Sequence, residues 1–499
     1  MSERARTLMI QGTASGVGKS VLSAAFCRIF TRRGLRVRPF KAQNMSNNAA
    51  VTAEGAEIGR AQEVQARAAR VAPDARMNPV LLKPLADTRS DVVLMGHGRP
   101  ELARLPWHRR RDALWPAVTQ SLDSLRSESD LVIIEGAGSP AETNLRATDI
   151  VNMAVARYAA SPVLLVADID RGGAFASLFG TWSLLENGDR DRIRGFLLNR
   201  FRGDATLLPP APDDLRRRTG VPVLGVVPYV RNALPEEDAM ALAPAGHGAL
   251  SIAAVRFPHI ANFDDLDPLA AELDVHVRWT DSPDDLADAA AIVLPGTRNT
   301  LNDLRWLWRT GLAAAVRARG IAATPVLGIC GGYQMLGRSV EDPYDIEAGG
   351  RCDGIGLLDV TTTLERHKTT RWTDAEVSAC APRLRLAAGA TLRGYEIRHG
   401  VTRLGPHATP WLCHDGEVIG ALSAGDDRIV LGTSLHALFA HRGFRSAFLD
   451  MIHHPDMIRD RTNARDWDAH IDRELERWAD VVERAVDITT IERVIESAG

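Results

Sequence analysis

Short, uninterrupted apolar runs alternate with stretches of helical spacing through the first half of the chain. Residues 7–11, 35–40, 131–135, 162–168, 196–199 and 223–228 each read as a strand, and 20–33 has the spacing of a helix that Gly34 ends. Apolar runs without period-two alternation, separated by helices, predict a parallel, doubly wound α/β sheet buried on both faces. A second series of runs, at 250–255, 291–296, 326–330 and 429–434, predicts another α/β unit. Residues 234–249 mix Pro, Gly and acidic side chains and read as a linker. The expected organisation is therefore a domain over 1–233, the linker, a domain over 250–447, and a charged, helically patterned tail over 448–499. No internal repeat or low-complexity tract interrupts it.

The strand ends carry the chemistry. Gly12-Thr-Ala-Ser-Gly-Val-Gly-Lys-Ser follows the first strand and opens the first helix, the context a phosphate-binding loop requires. Its backbone N–H groups can wrap a polyphosphate, Lys19 can reach the terminal phosphates, and Ser20 can ligate Mg²⁺. The strict pattern has glycine at position 13, where this chain has Thr13, with Gly12 one residue earlier. Gly12, Thr13, Gly16, Gly18, Lys19 and Ser20 are thus the expected ATP-binding set. Glu135 closes a strand before Gly-Ala-Gly and is placed to hold Mg²⁺ with Ser20. Asp168 and Asp170 end the next strand and Asp149 lies in Ala147-Thr-Asp-Ile-Val-Asn, and each is equally well read as a helix cap or a solvated acid. Asn199, after another strand, is either a turn residue or a base-recognition group.

Pro39-Phe-Lys-Ala-Gln-Asn-Met-Ser-Asn-Asn sets one lysine and four amides in a short run, too polar for core and suited to amides and carboxylates. Lys41, Gln43 and Asn44, with Asp149, are the expected substrate-side residues. In the second series, Val326-Leu-Gly-Ile-Cys-Gly-Gly-Tyr-Gln places Cys330 at a sharp strand-to-helix turn, where a helix N-terminus favours a thiolate and offers N–H donors to an oxyanion. His436 follows the last apolar strand, where a general base could meet the thiol. Gly331 and Gly296, the latter in Pro295-Gly-Thr, are the expected oxyanion donors.

Composition adds limits. The 499 residues exceed one hydrophobic core. A net charge of -3 gives no electrostatic footprint for nucleic acid or an anionic membrane. No apolar stretch approaches a membrane span, and the first residues lack a signal-peptide core, so a cytoplasmic protein is expected. The five cysteines are too few and too scattered for a disulfide framework. Of the 60 basic residues only Lys19, Lys41, Lys83 and Lys368 are lysines. Where arginine serves nearly everywhere, a retained lysine suggests a site that wants a compact point charge. Strong arginine bias also leaves lysines behind by chance, a reading that covers Lys368.

The phosphate loop resembles the Gly-Thr variant of dethiobiotin-synthetase-like ATPases, and the cysteine turn resembles class I-type glutamine amidotransferases. Taken with Gln43-Asn-Met-Ser, Gly394-Tyr-Glu-Ile and Leu435-His, the chain resembles the cobyric acid synthase family from residue 7 to about 447. The resemblance implies ATP- and Mg²⁺-dependent amidation of four carboxylates of adenosylcobyrinic acid a,c-diamide, with ammonia released from glutamine at Cys330 and His436. It also implies Asn199 at the adenine. Leu438 stands where full triads carry glutamate, Arg398 where the family usually has histidine, and Ala437 where it usually has glycine, so the group orienting His436 is unassigned. The sister amidase that makes the a,c-diamide, a ParA-like ATP switch and a glutaminase subunit of another ligase are the competing readings.

Overall fold

The computed structural model describes residues 4–86, 89–237, 245–246, 248–378, 386–423, 428–452 and 466–497. The first half holds a six-stranded, all-parallel sheet in the order Val223–Pro228, Ile193–Phe201, Val163–Asp168, Arg6–Gly12, Leu131–Glu135, Val37–Phe40. Alternate residues of the central strands enter two separate apolar clusters. Met9, Ile134 and Leu165 face one, and Leu8, Ile10, Ile133 and Val166 face the other. Burial on both faces is why the runs lack alternation.

The second half has a parallel core of Val275–Thr280, Leu250–Val255, Ala291–Leu294, Val326–Ile329 and Val430–Thr433. An antiparallel extension follows through Glu417–Ser423, Ala408–His414, Val360–Val377 and Thr391–Leu404. The sequence pattern did not announce these strands, because stretches such as Glu365-Arg-His-Lys-Thr-Thr-Arg face partly to solvent.

Two expectations are corrected. Residues 467–497 are helical but form no separate tail. Helices Trp467–Ala485 and Ile488–Ser497 bury Ile471, Leu475, Trp478, Val482 and Ile491 in the same cluster as Phe26 and Phe30 of the helix Lys19–Arg32. Arg28, buried, donates to Glu476 at 2.6 Å across that contact. Nor is 234–249 a bare spacer. Residues 238–244 and 247 lie outside the described residues, but Glu236 and Glu237 are held against the first half, and Ala245–Gly246 pairs antiparallel with Val275–Thr280.

Small elements of the first half reach the second. The hairpin Ala49–Val51 with Glu57–Gly59, and the hairpin Val80–Ala86 with Arg89–Leu94, lie outside the six-stranded sheet. Trp372 Nε1 donates to Val51 O at 2.8 Å, fastening the two halves together.

Candidate functional site: a phosphate loop and a cysteine cavity

Strand Arg6–Gly12 delivers the chain into the loop, and Gly18, at φ 97°, opens the helix Lys19–Arg32. That conformation strains any side chain, and a Cβ there would lie 2.1 Å from Asn199 Nδ2. The fold leaves Ala14, Ser15 and Gly16 exposed above a helix N-terminus, which suits an anionic group. Lys19 Nζ spans the loop, donating to Ala14 O at 2.9 Å and Gly138 O at 3.1 Å. Ser20 Oγ donates to Glu135 Oε1 at 2.8 Å. A hydroxyl and a buried carboxylate side by side are the hard oxygen donors that Mg²⁺ takes alongside phosphate.

Lys41 is not on an open substrate face. Its ammonium is buried 2.9 Å from Glu135 Oε1 and 3.3 Å from Glu237 Oε2. Burial opposes its charge, but the two carboxylates outweigh it and raise its pKa. For Glu135 burial likewise opposes ionisation, and Lys41 foremost holds its pKa below the ordinary value. Lys41 therefore joins the phosphate side. Asn44 is buried and donates to Gln62 Oε1 at 3.1 Å, while Gln43 beside it is half-buried. Asp149 is tied to its own chain just before the helix Met153–Tyr158: its carboxylate accepts from the N–H groups of Val151, Asn152 and Ala154, each at 2.8 Å, leaving it committed to the backbone. Asn199, expected at a base, is buried beneath the phosphate loop and donates to Val17 O at 2.8 Å, so it braces the loop. Asp168 and Asp170 are paired with Arg200 and Arg202.

In the second half, strand Val326–Ile329 ends at Cys330, whose backbone lies at φ 51°, ψ -109°. Such a conformation costs on the order of 1–3 kcal/mol and persists because its surroundings enforce it. Here the Cys330 N–H donates to Thr433 O at 2.7 Å, Gln334 N–H to Cys330 O at 3.1 Å and Gly332 N–H to Pro295 O at 3.1 Å. The Gly331 and Gly296 N–H groups have no acceptor among the described residues. A Cβ at Gly331 would meet Thr297 Cγ2 at 2.5 Å, and at Gly296 would meet His436 Cε1 at 3.1 Å, so neither position admits a side chain without displacement.

Cys330, His436, Gly296 and Gly331 line one cavity. His436 is stacked on Tyr395, with centroids 5.1 Å apart and planes 14° from parallel. Asp265 supplies what the sequence left blank: its Oδ2 lies 2.7 Å from His436 Nδ1, and its Oδ1 accepts the Ala437 N–H at 2.6 Å. Burial alone would lower the pKa of His436, but the Asp265 carboxylate and the Cys330 sulfur raise it to about 10. A charged imidazole facing a sulfur beside two open N–H donors is an arrangement for nucleophilic thiol chemistry.

The two centres share one short helix. At Arg60–Ala68, Gln65 Nε2 donates to Glu135, and at the other end Arg60 pairs with Asp264 at 2.9 Å and donates to the Tyr395 hydroxyl at 2.6 Å.

Residues 8–239 match the family described as the CobQ/CobB/MinD/ParA nucleotide binding domain, and residues 251–444 match the CobB/CobQ-like glutamine amidotransferase domain. A cobyric acid synthase of Deinococcus radiodurans is 52% identical over 456 residues, covering 88% of this chain and 92% of its own. One of Sorangium cellulosum is 46% identical and one of Citrobacter koseri 43%, each covering 98% of this chain and 99% and 98% of their own. The chain belongs to the cobyric acid synthase family.

Family membership makes this an amidating ligase with a nucleotide-binding half and an amidotransferase half. Among the described residues no helix is long and apolar enough to cross a membrane. Within this cobyric acid synthase family member, Leu438 is buried and Asp265, from a distant segment, stands on His436 in place of the triad glutamate. Arg398 is buried between Glu396 at 2.7 Å and Glu417 at 2.6 Å and lines the cavity. Ala437 takes φ 64°, the left-handed conformation for which glycine is the usual residue.

Proposed function

We propose that the second half hydrolyses glutamine at Cys330 and that the first half uses the released ammonia to amidate four side-chain carboxylates of adenosylcobyrinic acid a,c-diamide at the expense of ATP. The observation that carries this reading is the co-occurrence, in one chain of this family, of the Asp265–His436–Cys330 constellation and the phosphate loop with Ser20 on Glu135.

Cys330 Sγ attacks the glutamine carboxamide, and the Gly296 and Gly331 N–H groups receive the developing oxyanion. His436 gives its Nε2 proton to the departing ammonia, while Asp265 fixes the opposite nitrogen and supports the positive ring. Water then clears the glutamyl thioester, with His436 taking its proton. In the first half the loop N–H groups and Lys19 grip the ATP phosphates. Ser20 and Glu135 would hold Mg²⁺, which neutralises phosphate charge when bound. A corrin carboxylate attacks the γ-phosphoryl group, ADP leaves, and ammonia displaces phosphate from the resulting acyl phosphate. Lys41, beside Glu135, adds positive charge where phosphate negative charge collects.

Cys330→Ser is expected to abolish glutamine-dependent amidation while ammonium at high concentration still supports amidation. Lys19→Ala is expected to lose both. Loss of the ammonia-driven reaction in folded Cys330→Ser, or unchanged turnover in Lys19→Ala, would contradict the division of labour.

A further inference from the structure

All four lysines of the chain reach the two centres. Lys19 and Lys41 lie at the phosphate loop, and Lys83 and Lys368 line the cavity that holds Cys330. Lys83 belongs to the strand Val80–Ala86 of the nucleotide-binding half, and Lys368 to the strand Val360–Val377 of the other. Both ammonium groups converge on the single carboxylate of Glu57, which is 1% exposed; Lys83 is 2.5 Å from it, and Lys368 is in direct contact. Glu57 is their only partner among the described residues.

Two ammonium groups sharing one carboxylate leave a surplus positive charge in an enclosed site. Each ammonium has three donors, and one ion pair apiece leaves donors unmet. Arg298 lines the same cavity and is matched by Asp91, while Glu347, which also lines it 3.9 Å from Arg298, is pushed up to about 7 by burial and so offsets the surplus only in part. The local potential shows in His399, another lining residue, whose pKa is pushed down to about 3 by burial and by the charges of Lys368 and Arg298. Burial of uncompensated charge is costly, and an anion entering the cavity relieves it.

We propose that Lys83 and Lys368 seat the α-carboxylate of the glutamine whose carboxamide reaches Cys330, so that the glutaminase site is complete only with a residue from the ligase half. This inference rests on the glutaminase reading of Cys330. It assigns glutamine recognition to both halves and explains why a lysine is retained in an otherwise apolar strand at position 83.

The test uses two Cys330 alkylating reagents on the full-length protein. 6-Diazo-5-oxo-L-norleucine carries the amino-acid end of glutamine, and iodoacetamide does not. In Lys83→Met and Lys368→Met the analogue's inactivation rate is expected to fall by about 10- to 150-fold each, the worth of one charge-assisted hydrogen bond, while iodoacetamide labels Cys330 at the wild-type rate. Lys368→Arg, which keeps the charge, is expected to recover most of the analogue rate. The preference for glutamine over 4-aminobutanamide, which lacks the carboxylate, is expected to collapse in the same two Met variants. An unchanged analogue rate, or equal slowing of both reagents, would overturn the seat. Wild-type protein that iodoacetamide labels but the analogue does not would overturn the glutaminase reading itself, and the seat with it.

Discussion

At the scale of single residues, Asp265 is the informative one. Asp265→Asn keeps the shape but removes the charge that supports imidazolium, and is expected to slow glutamine hydrolysis by about 10²-fold or more with little change in KM. A wild-type rate in the folded variant would show that the carboxylate is not needed. The same charge sets a pH dependence. His436 has its pKa raised from 6.5 to about 10, so the folded state holds this proton more tightly than the unfolded chain does. Its contribution to stability is full below about 6.5 and is lost as pH rises through about 10. Wild type is therefore expected to exceed Asp265→Asn in urea midpoint by most near pH 6, with the gap narrowing toward pH 10; a pH-independent gap would contradict it. Ala437 offers a simpler test. Relieving its left-handed backbone offsets the greater freedom of an unfolded glycine, so Ala437→Gly is expected to keep activity and gain up to about 1 kcal/mol in urea unfolding. A clear loss of stability would contradict the strain.

At the scale of elements, the parallel strands of both halves were legible because burial on two faces writes continuous apolar runs, and the phosphate loop and cysteine turn because their glycines occur at fixed spacing. The antiparallel strands 360–423 were not, because their solvent faces dilute the pattern. Asp265 was hidden for a different reason. It lies 171 residues before His436 in a stretch, Asp264-Asp-Leu-Asp, where only the fold selects one acid. Asp149 misled because an acid free to face a ligand and one that accepts from the N–H groups of its own following backbone look alike in one dimension. The helix Arg60–Ala68 joins what the sequence kept apart, with Gln65 on Glu135 and Arg60 on Asp264 and Tyr395. Asp264 is pushed up to about 6, chiefly by burial, and Arg60, more than His436, is the charge that works against that shift. Arg60→Met is expected to cost about 3 kcal/mol, the scale for breaking a buried pair. A variant unfolding at the wild-type urea midpoint would show that this contact does not hold the halves together.

At the scale of the molecule, the two halves are built into one another. The C-terminal helices complete the core of the nucleotide-binding half, the hairpins at 49–59 and 80–94 reach the cysteine cavity, and Glu237 leads the connection past Ser20 and Lys41. An assembly of this kind suits an intermediate that must pass from one centre to the other without meeting bulk water, where ammonia would be protonated. The direct test is to supply ATP, Mg²⁺, adenosylcobyrinic acid a,c-diamide and glutamine labelled with ¹⁵N in its side-chain amide, against excess unlabelled ammonium held at neutral pH. The account predicts four successive amidations, each carrying ¹⁵N and each matched by one glutamate. Glutamine hydrolysis without corrin amidation, or amides carrying only unlabelled nitrogen, would contradict it.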